Sequence, residues 1–343
     1  MTTIAIDAMG GDHAPYAVIE AVARLSREEF GPALVIVGDA GTLKQELSKY
    51  PHEGSRITLH HAPTSIPMDC DPRAALREAP DASLPVAARL VANGTADALV
   101  TAGNTGAVVL ACADAFRRLG GVSRCALGAV YPTERRRGER GDPFSLILDA
   151  GLTLEPSAQD LVSFAIMGSA YARCISRNPR PRVALLSNGT EAGKGLSSIV
   201  EAHRLLAARE DLQFIGNIEG MDIPRGTADV VVTGGFTGNI VLKMLEGIAD
   251  TVGSLVRYAF DRSVRYKAGL ALLAPAMAEL KQATDWQEYG GAPLLGFDRL
   301  CIKAHGRSSP RAFANAIKVA HRATESQLIP SIERQLTAVV PGA

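Results

Sequence analysis

Short aliphatic runs alternate with longer stretches of helical period along this chain. Thr3–Ile6 is the first such run. Pro15 then opens a helix in which Val18, Val22 and Leu25 fall at helical spacing. The same pattern predicts strands over Ala33–Val37, Arg56–Leu59, Ala98–Thr101, Ala126–Val130, Phe144–Asp149, Arg182–Leu186, Gln213–Ile218, Asp229–Thr233 and Leu300–Lys303. It predicts helices over Leu84–Val91, Gly106–Leu119, Asp160–Ile175, Leu196–Ala208, Asn239–Phe260 and Arg311–Leu328. Near-continuous apolar strands followed by helices indicate the α/β class, with a largely parallel sheet covered on both faces. The chain shows no fixed-period repeat and no Pro/Ser/Gly-rich linker, so one compact α/β body over residues 1–343 is expected. The charged segment Thr133–Asp142 reads as an exposed turn between two strands.

Composition narrows the function classes. Lys plus Arg and Asp plus Glu each number 36, which argues against a dedicated nucleic-acid binder. An apolar fraction of 47% supplies a sizeable core and argues against disorder. The five cysteines form no C-x-x-C pair, so neither a disulfide framework nor a structural zinc site is expected. His60 and His61 would face opposite sides of a strand, so no metal is expected there. Asp7 interrupts the first apolar run, which predicts no signal peptide and a cytoplasmic location. The longest uncharged apolar run, Ala268–Ala278, is too short to span a bilayer and contains Pro275.

Glycine marks the loops that follow the strands. Asp7-Ala-Met-Gly10-Gly11-Asp12-His13 follows the first strand. Gly103-Asn104-Thr105-Gly106 follows Ala98–Thr101, and Asn188-Gly189-Thr190-Glu191-Ala-Gly193-Lys194-Gly195 follows Arg182–Leu186. Gly234-Gly235-Phe-Thr-Gly238-Asn239 and Lys303-Ala-His305-Gly306-Arg307 follow two others. If all these strands are parallel, all five loops leave one edge of the sheet, where ligands of open α/β folds bind. Glycine lets backbone approach a ligand, and helix N-termini offer free N–H donors and partial positive charge. The expected result is an anion crevice, with Asn104, Asn188 and Asn239 as neutral donors and Lys194, Lys303, His305 and Arg307 as cationic ones. Known signatures are absent: Gly189–Gly195 is one residue short of a P-loop, and no G-x-G-x-x-G occurs in the first strand-to-helix turn.

In these motifs the chain resembles the bacterial phosphate acyltransferases of phospholipid synthesis (acyl-acyl carrier protein:phosphate acyltransferase). The resemblance rests on Asp7–Pro15, Ala102–Ala107, Leu185–Gly195, Gly235–Lys243, Tyr289–Gly296 and Ile302–Gly306, in that order, and runs to about Leu328. It implies a doubly wound three-layer α/β/α body similar to isopropylmalate dehydrogenases and phosphotransacetylases. It implies a homodimer, peripheral contact with the membrane and no cofactor or metal. The implied partners are acyl carrier protein, inorganic phosphate and a fatty acyl chain, with no nucleic acid. The implied reaction gives acyl phosphate and free carrier protein.

Phosphate is itself an oxygen nucleophile, so no serine or cysteine need be acylated. The site must hold phosphate in line with the thioester carbon and stabilise the tetrahedral oxyanion. On that basis the Asn104–Gly106 and Asn188–Gly195 loops, with Gly103, Gly238 and Asn239, are expected to bind substrate, and Lys194 to supply charge. Lys303 and His305 are expected near the thioester, with His305 a candidate acid, and Gly306 beside them. Asp7, Gly10, Gly11, Asp12 and His13 are expected to line the site and orient these groups. Three positions depart from the family's usual residues: Thr101 for Ser, Gly234 for Asp and Thr153 for Asn. The last two keep open a non-catalytic paralogue that acts as a membrane-associated, carrier-protein-binding scaffold. A short-chain phosphotransacetylase, or a decarboxylating dehydrogenase on the related fold, also stays open.

Residues 252–286 stand apart. An amphipathic helix through Leu245, Ile248, Val252, Leu255 and Phe260 leads into a basic flank of Arg257, Arg262, Arg265 and Lys267. An apolar stretch with Leu270, Leu272, Leu273 and Met277 follows. A helical hairpin is expected here. Its composition suits contact with a second subunit, a membrane interface or an acidic carrier protein, and the resemblance favours the membrane.

Overall fold

The computed structural model describes residues 2–137, 142–261, 265–266, 268–269, 272–275 and 290–337. In chain order the elements begin β1 (Thr3–Asp7), α1 (Tyr16–Ser26), β2 (Ala33–Gly38), α2 (Ala40–Leu47), β3 (Ile57–His61), α3 (Pro72–Glu78), α4 (Ser83–Ala92), β4 (Ala98–Thr101) and α5 (Thr105–Ala115). They continue β5 (Ala126–Arg137), β6 (Asp142–Leu148), α6 (Ala158–Ile175), β7 (Arg182–Leu186), α7 (Ser197–Ala207), β8 (Gln213–Ile218), α8 (Asp222–Arg225) and β9 (Val230–Val232). The long α9 (Gly235–Asp261), β10 (Ala292–Leu295), β11 (Leu300–Lys303), α10 (Pro310–Glu325) and α11 (Leu328–Thr337) complete them.

Among the described residues, eleven strands form one sheet in the order β3-β2-β1-β4-β11-β10-β5-β6-β9-β7-β8. Alternate side chains of a strand enter opposite layers. Ile4 and Ile6 pack on one side with α1, α6 and α10, while Ala5 packs on the other with α4 and α5. In the second half of the sheet Val183 and Leu185 join the first core, and Ala184 and Leu186 meet Val241 and Leu245 of α9. The result is the expected α/β/α layering. α6 is buried around most of its circumference, which explains its almost uninterrupted apolar sequence. Its start is fixed by a capping box in which Ser157 and Asp160 satisfy each other's backbone N–H groups.

Strand direction corrects one expectation. β3, β2, β1, β4 and β11 are mutually parallel, as are β6, β9, β7 and β8. Between the two blocks lie three antiparallel pairings, β11–β10, β10–β5 and β5–β6. An odd number of reversals leaves the blocks opposed. The five glycine loops therefore do not all leave one rim. Those after β1, β4 and β11 belong to one block, and those after β7 and β9 to the other.

Other boundaries shift for local reasons. β5 runs to Arg137 and pairs with Asp142, so strand extends into the charged segment that reads as a turn. The helix expected to reach Leu119 stops at Ala115, where Phe116 turns extended. The helix expected over Arg311–Leu328 is two, broken at Gln327, whose φ is +56°. Of the hairpin expected over residues 252–286, residues 262–264, 267, 270–271 and 276–286 lie outside the described residues; 252–261 continue α9, and 265–266, 268–269 and 272–275 are helical.

Candidate active site

β1, β4 and β11 end together, with Asp7, Thr101 and Lys303 side by side in register. All three follow Ala5, Leu99 and Cys301 by two residues, so they share the sheet face carrying α4 and α5. Asp7 is fully enclosed. Its Oδ1 accepts from Ser83 Oγ at 2.6 Å and its Oδ2 from Thr101 Oγ1 at 2.7 Å. Burial nevertheless pushes its carboxyl above the usual value, with the hydroxyl and backbone donors pulling the other way. Thr101 Oγ1 in turn accepts from Gly103 N at 3.0 Å. The hydroxyl of this departure thus does what a serine hydroxyl would.

The three loops above this row are knitted together. Gly103 N lies 2.8 Å from where a Gly10 Cβ would stand, so only glycine allows this approach. Asp12 N donates to Gly306 O at 2.8 Å. Asn104 caps α5 by accepting from Ala107 N at 3.1 Å, and its Nδ2 donates to Met68 O at 2.8 Å. Both ends of the amide are therefore engaged. The unpaired N–H groups of the first turn, at Thr105 and Gly106, are the donors left to an anion here. Asp12 and His13 are exposed, with Asp12 close enough to Lys303 to oppose the lowering of its pKa.

Lys303 Nζ donates to Ala304 O at 2.9 Å. Withdrawal from water, reinforced by Lys243 and opposed by Cys301 and Asp12, lowers its pKa to about 8. His305 is shifted downward by burial and then by Lys303, Arg307 and Lys243. Its Nδ1 accepts from Arg307 N at 3.1 Å, which assigns a neutral ring with its proton on Nε2.

The second block contributes the loops after β6, β7 and β9. Asp149 is buried and accepts from Leu127 N at 2.8 Å, Leu152 N at 2.9 Å, Gly151 N at 3.2 Å and Thr153 N. Burial still raises its pKa. α9 begins directly on this knot. A Cβ on Gly238 would overlap Asp149 O at 1.9 Å, which makes glycine obligatory. Asn239 Nδ2 donates to Ala150 O at 3.3 Å. One turn later Lys243 reaches Lys303 and His305 closely enough to affect both. The two blocks thus meet across α9.

In the loop after β7, Asn188 and Thr190–Gly195 are exposed and Gly189 is buried. Lys194 folds over Gly189, its Cγ 3.0 Å from a Cβ built there, and Lys194 N donates to Glu191 O at 3.0 Å. The described contacts tie this loop to its own block, through Ser187, Ile199 and Asn217. The structure thus brings together Asp7, Gly10, Gly11, Asp12, Gly103, Asn104, Lys303, His305 and Gly306. It places Gly238 and Asn239 on α9 beside them, and the Asn188–Gly195 loop at the end of the strand next to β9.

Lys243, Asp149 and Thr101 escape candidate selection by motif alone. The signal for Asp149 is its likeness to Asp7, an acidic residue closing an apolar strand before a glycine loop. Of the hairpin residues, Arg257, Arg265, Leu272 and Leu273 are exposed. Arg262, Lys267, Leu270 and Met277 lie outside the described residues.

The family model described as "Fatty acid synthesis protein" matches residues 2–331. A phosphate acyltransferase of Myxococcus xanthus is 43% identical over 319 residues, 92% of this chain and 88% of that protein. One of Clostridium perfringens is 38% identical over 334 residues, 97% of this chain and 96% of that protein. The chain belongs to this family. Among solved structures, a phosphotransacetylase from Streptococcus pyogenes has the same fold, with a TM-score of 0.63 at 18% identity over 96% of this chain and 94% of that one. The phosphotransacetylase-like architecture that the family resemblance implied is therefore present.

Proposed function

We propose that this chain is a phosphate acyltransferase that moves a fatty acyl group from acyl-acyl carrier protein to inorganic phosphate. The observation that carries the reading is identity of 38–43% with phosphate acyltransferases over 92–97% of the chain. A phosphate oxygen attacks the thioester carbon, the C–S bond breaks, and the departing thiolate takes a proton. The Thr105 and Gly106 N–H groups and the Asn188–Gly195 loop hold phosphate, with Lys194 adding charge. On α9, Asn239 and Lys243, whose Nζ rests on Glu246 Oε2 at 2.7 Å, are the donors read as stabilising the oxyanion. Lys303, as an ammonium, stabilises the thiolate and supplies the proton it takes, and the neutral His305 ring offers Nε2–H as a hydrogen bond to the departing sulfur. Asp7 and Asp149 act beneath the site, fixing the loops that carry these groups.

Carrier protein, membrane and a second subunit would meet α9 and the residues after it. Phe236, Ile240, Met244, Ile248, Val252 and Leu255 are each at least half exposed along that helix. Such a face requires a covering surface. No described helix is long and apolar enough to cross a membrane, and contact is read as peripheral, from the cytoplasmic side.

The test is direct. Purified protein given palmitoyl-carrier protein and phosphate should form acyl phosphate, trapped as a hydroxamate. Acetyl-coenzyme A and nicotinamide cofactors serve as competing substrates. Absence of acyl phosphate from the carrier-protein donor, or faster turnover of acetyl-coenzyme A, would overturn the reading.

A further inference from the structure

The loop expected to hold phosphate, residues 187–195, is mostly exposed, and an exposed loop pays an ordering cost each time it closes on an anion. One buried side chain reaches it from the neighbouring strand. Asn217 on β8 is 5% exposed, and its Nδ2 donates to Glu191 O at 2.9 Å. The same carbonyl accepts from Lys194 N at 3.0 Å, so Asn217 grips the turn that sets the Lys194 backbone. On its other side Asn217 Oδ1 lies 3.0 Å from His203 Nδ1 on α7. An amide oxygen only accepts, so His203 Nδ1–H is the donor, and this bond fixes which way the amide points. The His203 ring is held in turn by an edge contact with Phe214, centroids 5.1 Å apart.

The backbone is built to aim this residue. Val183 pairs with Phe214, but Leu185 pairs with Asn217, so two steps on β7 match three on β8. Gly216 sits in the extra position with φ of +92°. Such a bulge reverses the alternation of side chains beyond it. Phe214 accordingly packs in the core beneath α7, whereas Ile218, four residues on, packs on the opposite face. Without the bulge Asn217 would point away from His203 and from the loop.

We propose that Asn217 is a positioning residue for the acyl-transfer reaction: oriented by His203, it holds the 187–195 loop in the shape that receives phosphate. The inference rests on the reading of that loop as the phosphate cradle. Asn217→Asp keeps the acceptor for His203 and removes the donor to Glu191 O. It is expected to raise the phosphate KM about tenfold, the usual consequence of leaving a buried polar group unpaired. The KM for acyl-carrier protein should stay unchanged, and amides of 187–195 should exchange hydrogen faster. A residue needed only for folding would lower the melting temperature and the active fraction without separating the two KM values. Should Asn217→Asp fail to fold, His203→Phe keeps the ring contact, removes the donor, and is expected to raise the phosphate KM about threefold. Lys194→Ala is the reference. If it raises the phosphate KM while folded Asn217→Asp, or His203→Phe in its place, does not, the inference is overturned and the phosphate loop stands. If Lys194→Ala also leaves it unchanged, the phosphate reading of the loop fails and this inference fails with it.

Discussion

A β-carbon on Gly234 would stand 2.8 Å from Pro156 Cδ and 3.2 Å from Leu154 O. At this position, where the resemblance implies an aspartate, the neighbouring loop's proline occupies the space an acidic side chain would enter. Restoring the carboxylate alone should not improve the enzyme. Gly234→Asp is expected to cost about 1–3 kcal/mol of stability through overpacking, read by urea denaturation, with no gain in acyl phosphate formation. A faster Gly234→Asp enzyme of wild-type stability would show that the loop yields freely and that the missing carboxylate limits the rate.

Lys303 carries a prediction in pH. Its pKa falls from 10.5 to about 8 in the folded chain, so the ammonium is lost from the site well before it would be lost in water. If that charge stabilises the departing thiolate, kcat/KM should decline through a single ionisation near pH 8. In Lys303→Arg the decline should move to higher pH. The linkage has a definite sign. Between about 8 and 10.5 the unfolded chain binds the proton that the folded chain has released, so Lys303 makes folding more favourable as pH rises through that window. A profile flat to pH 9.5, with Lys303→Arg indistinguishable, would remove the residue from the chemistry.

Much of the architecture is legible in residue order, and the exceptions have physical causes. β1, β4, β7, β9 and β11 announce themselves as apolar runs before glycine loops, because strands buried on both faces tolerate little else. β10 does not: Pro293 lacks an N–H, and Gly290 and Gly291 precede it, yet the strand lies between β11 and β5. α2 and α3 are short, but Asp39 and Asp71 cap them through Thr42 N and Ala74 N, a signal present in the sequence. The opposition of the two strand blocks is not local information. It follows from how β5, β6 and β10 pair across distant parts of the chain. The same is true of Asn217, whose direction depends on a bulge visible only once β7 and β8 are in register. Motifs thus locate the loops, and pairing decides which loops share a side.

Thr101 offers a test of the floor. Its hydroxyl donates to Asp7 Oδ2 and accepts from Gly103 N, linking β4, β1 and the loop above them. Thr101→Ser should be close to neutral in stability and activity. Thr101→Val keeps the shape and leaves a buried carboxylate short of a donor, at an expected cost of about 1–3 kcal/mol. The Asp7 carboxyl should then shift further upward than it already is. Because its pKa is raised on folding, stability falls as pH climbs from the ordinary value of 3.8 through the folded one, and Thr101→Val should steepen that fall. Equal stability of the Val and Ser variants at every pH would show that the hydroxyl carries no energetic weight.

Leu272 and Leu273 are 84% and 55% exposed in a helical segment, an arrangement that water disfavours unless another surface covers it. Arg257 and Arg265, which precede them in the chain, are exposed as well, and their charge favours anionic lipid headgroups. Replacing both leucines with aspartate removes the apolar contact and adds like charge against the lipid. The double variant should lose binding to vesicles rich in anionic phospholipid in a flotation assay, while its melting temperature stays near that of the parent, because neither side chain contributes to the core. Its subunit composition, read by sedimentation, separates the competing occupant: dissociation of a dimer with vesicle binding retained would assign this surface to a second copy of the chain instead of to lipid.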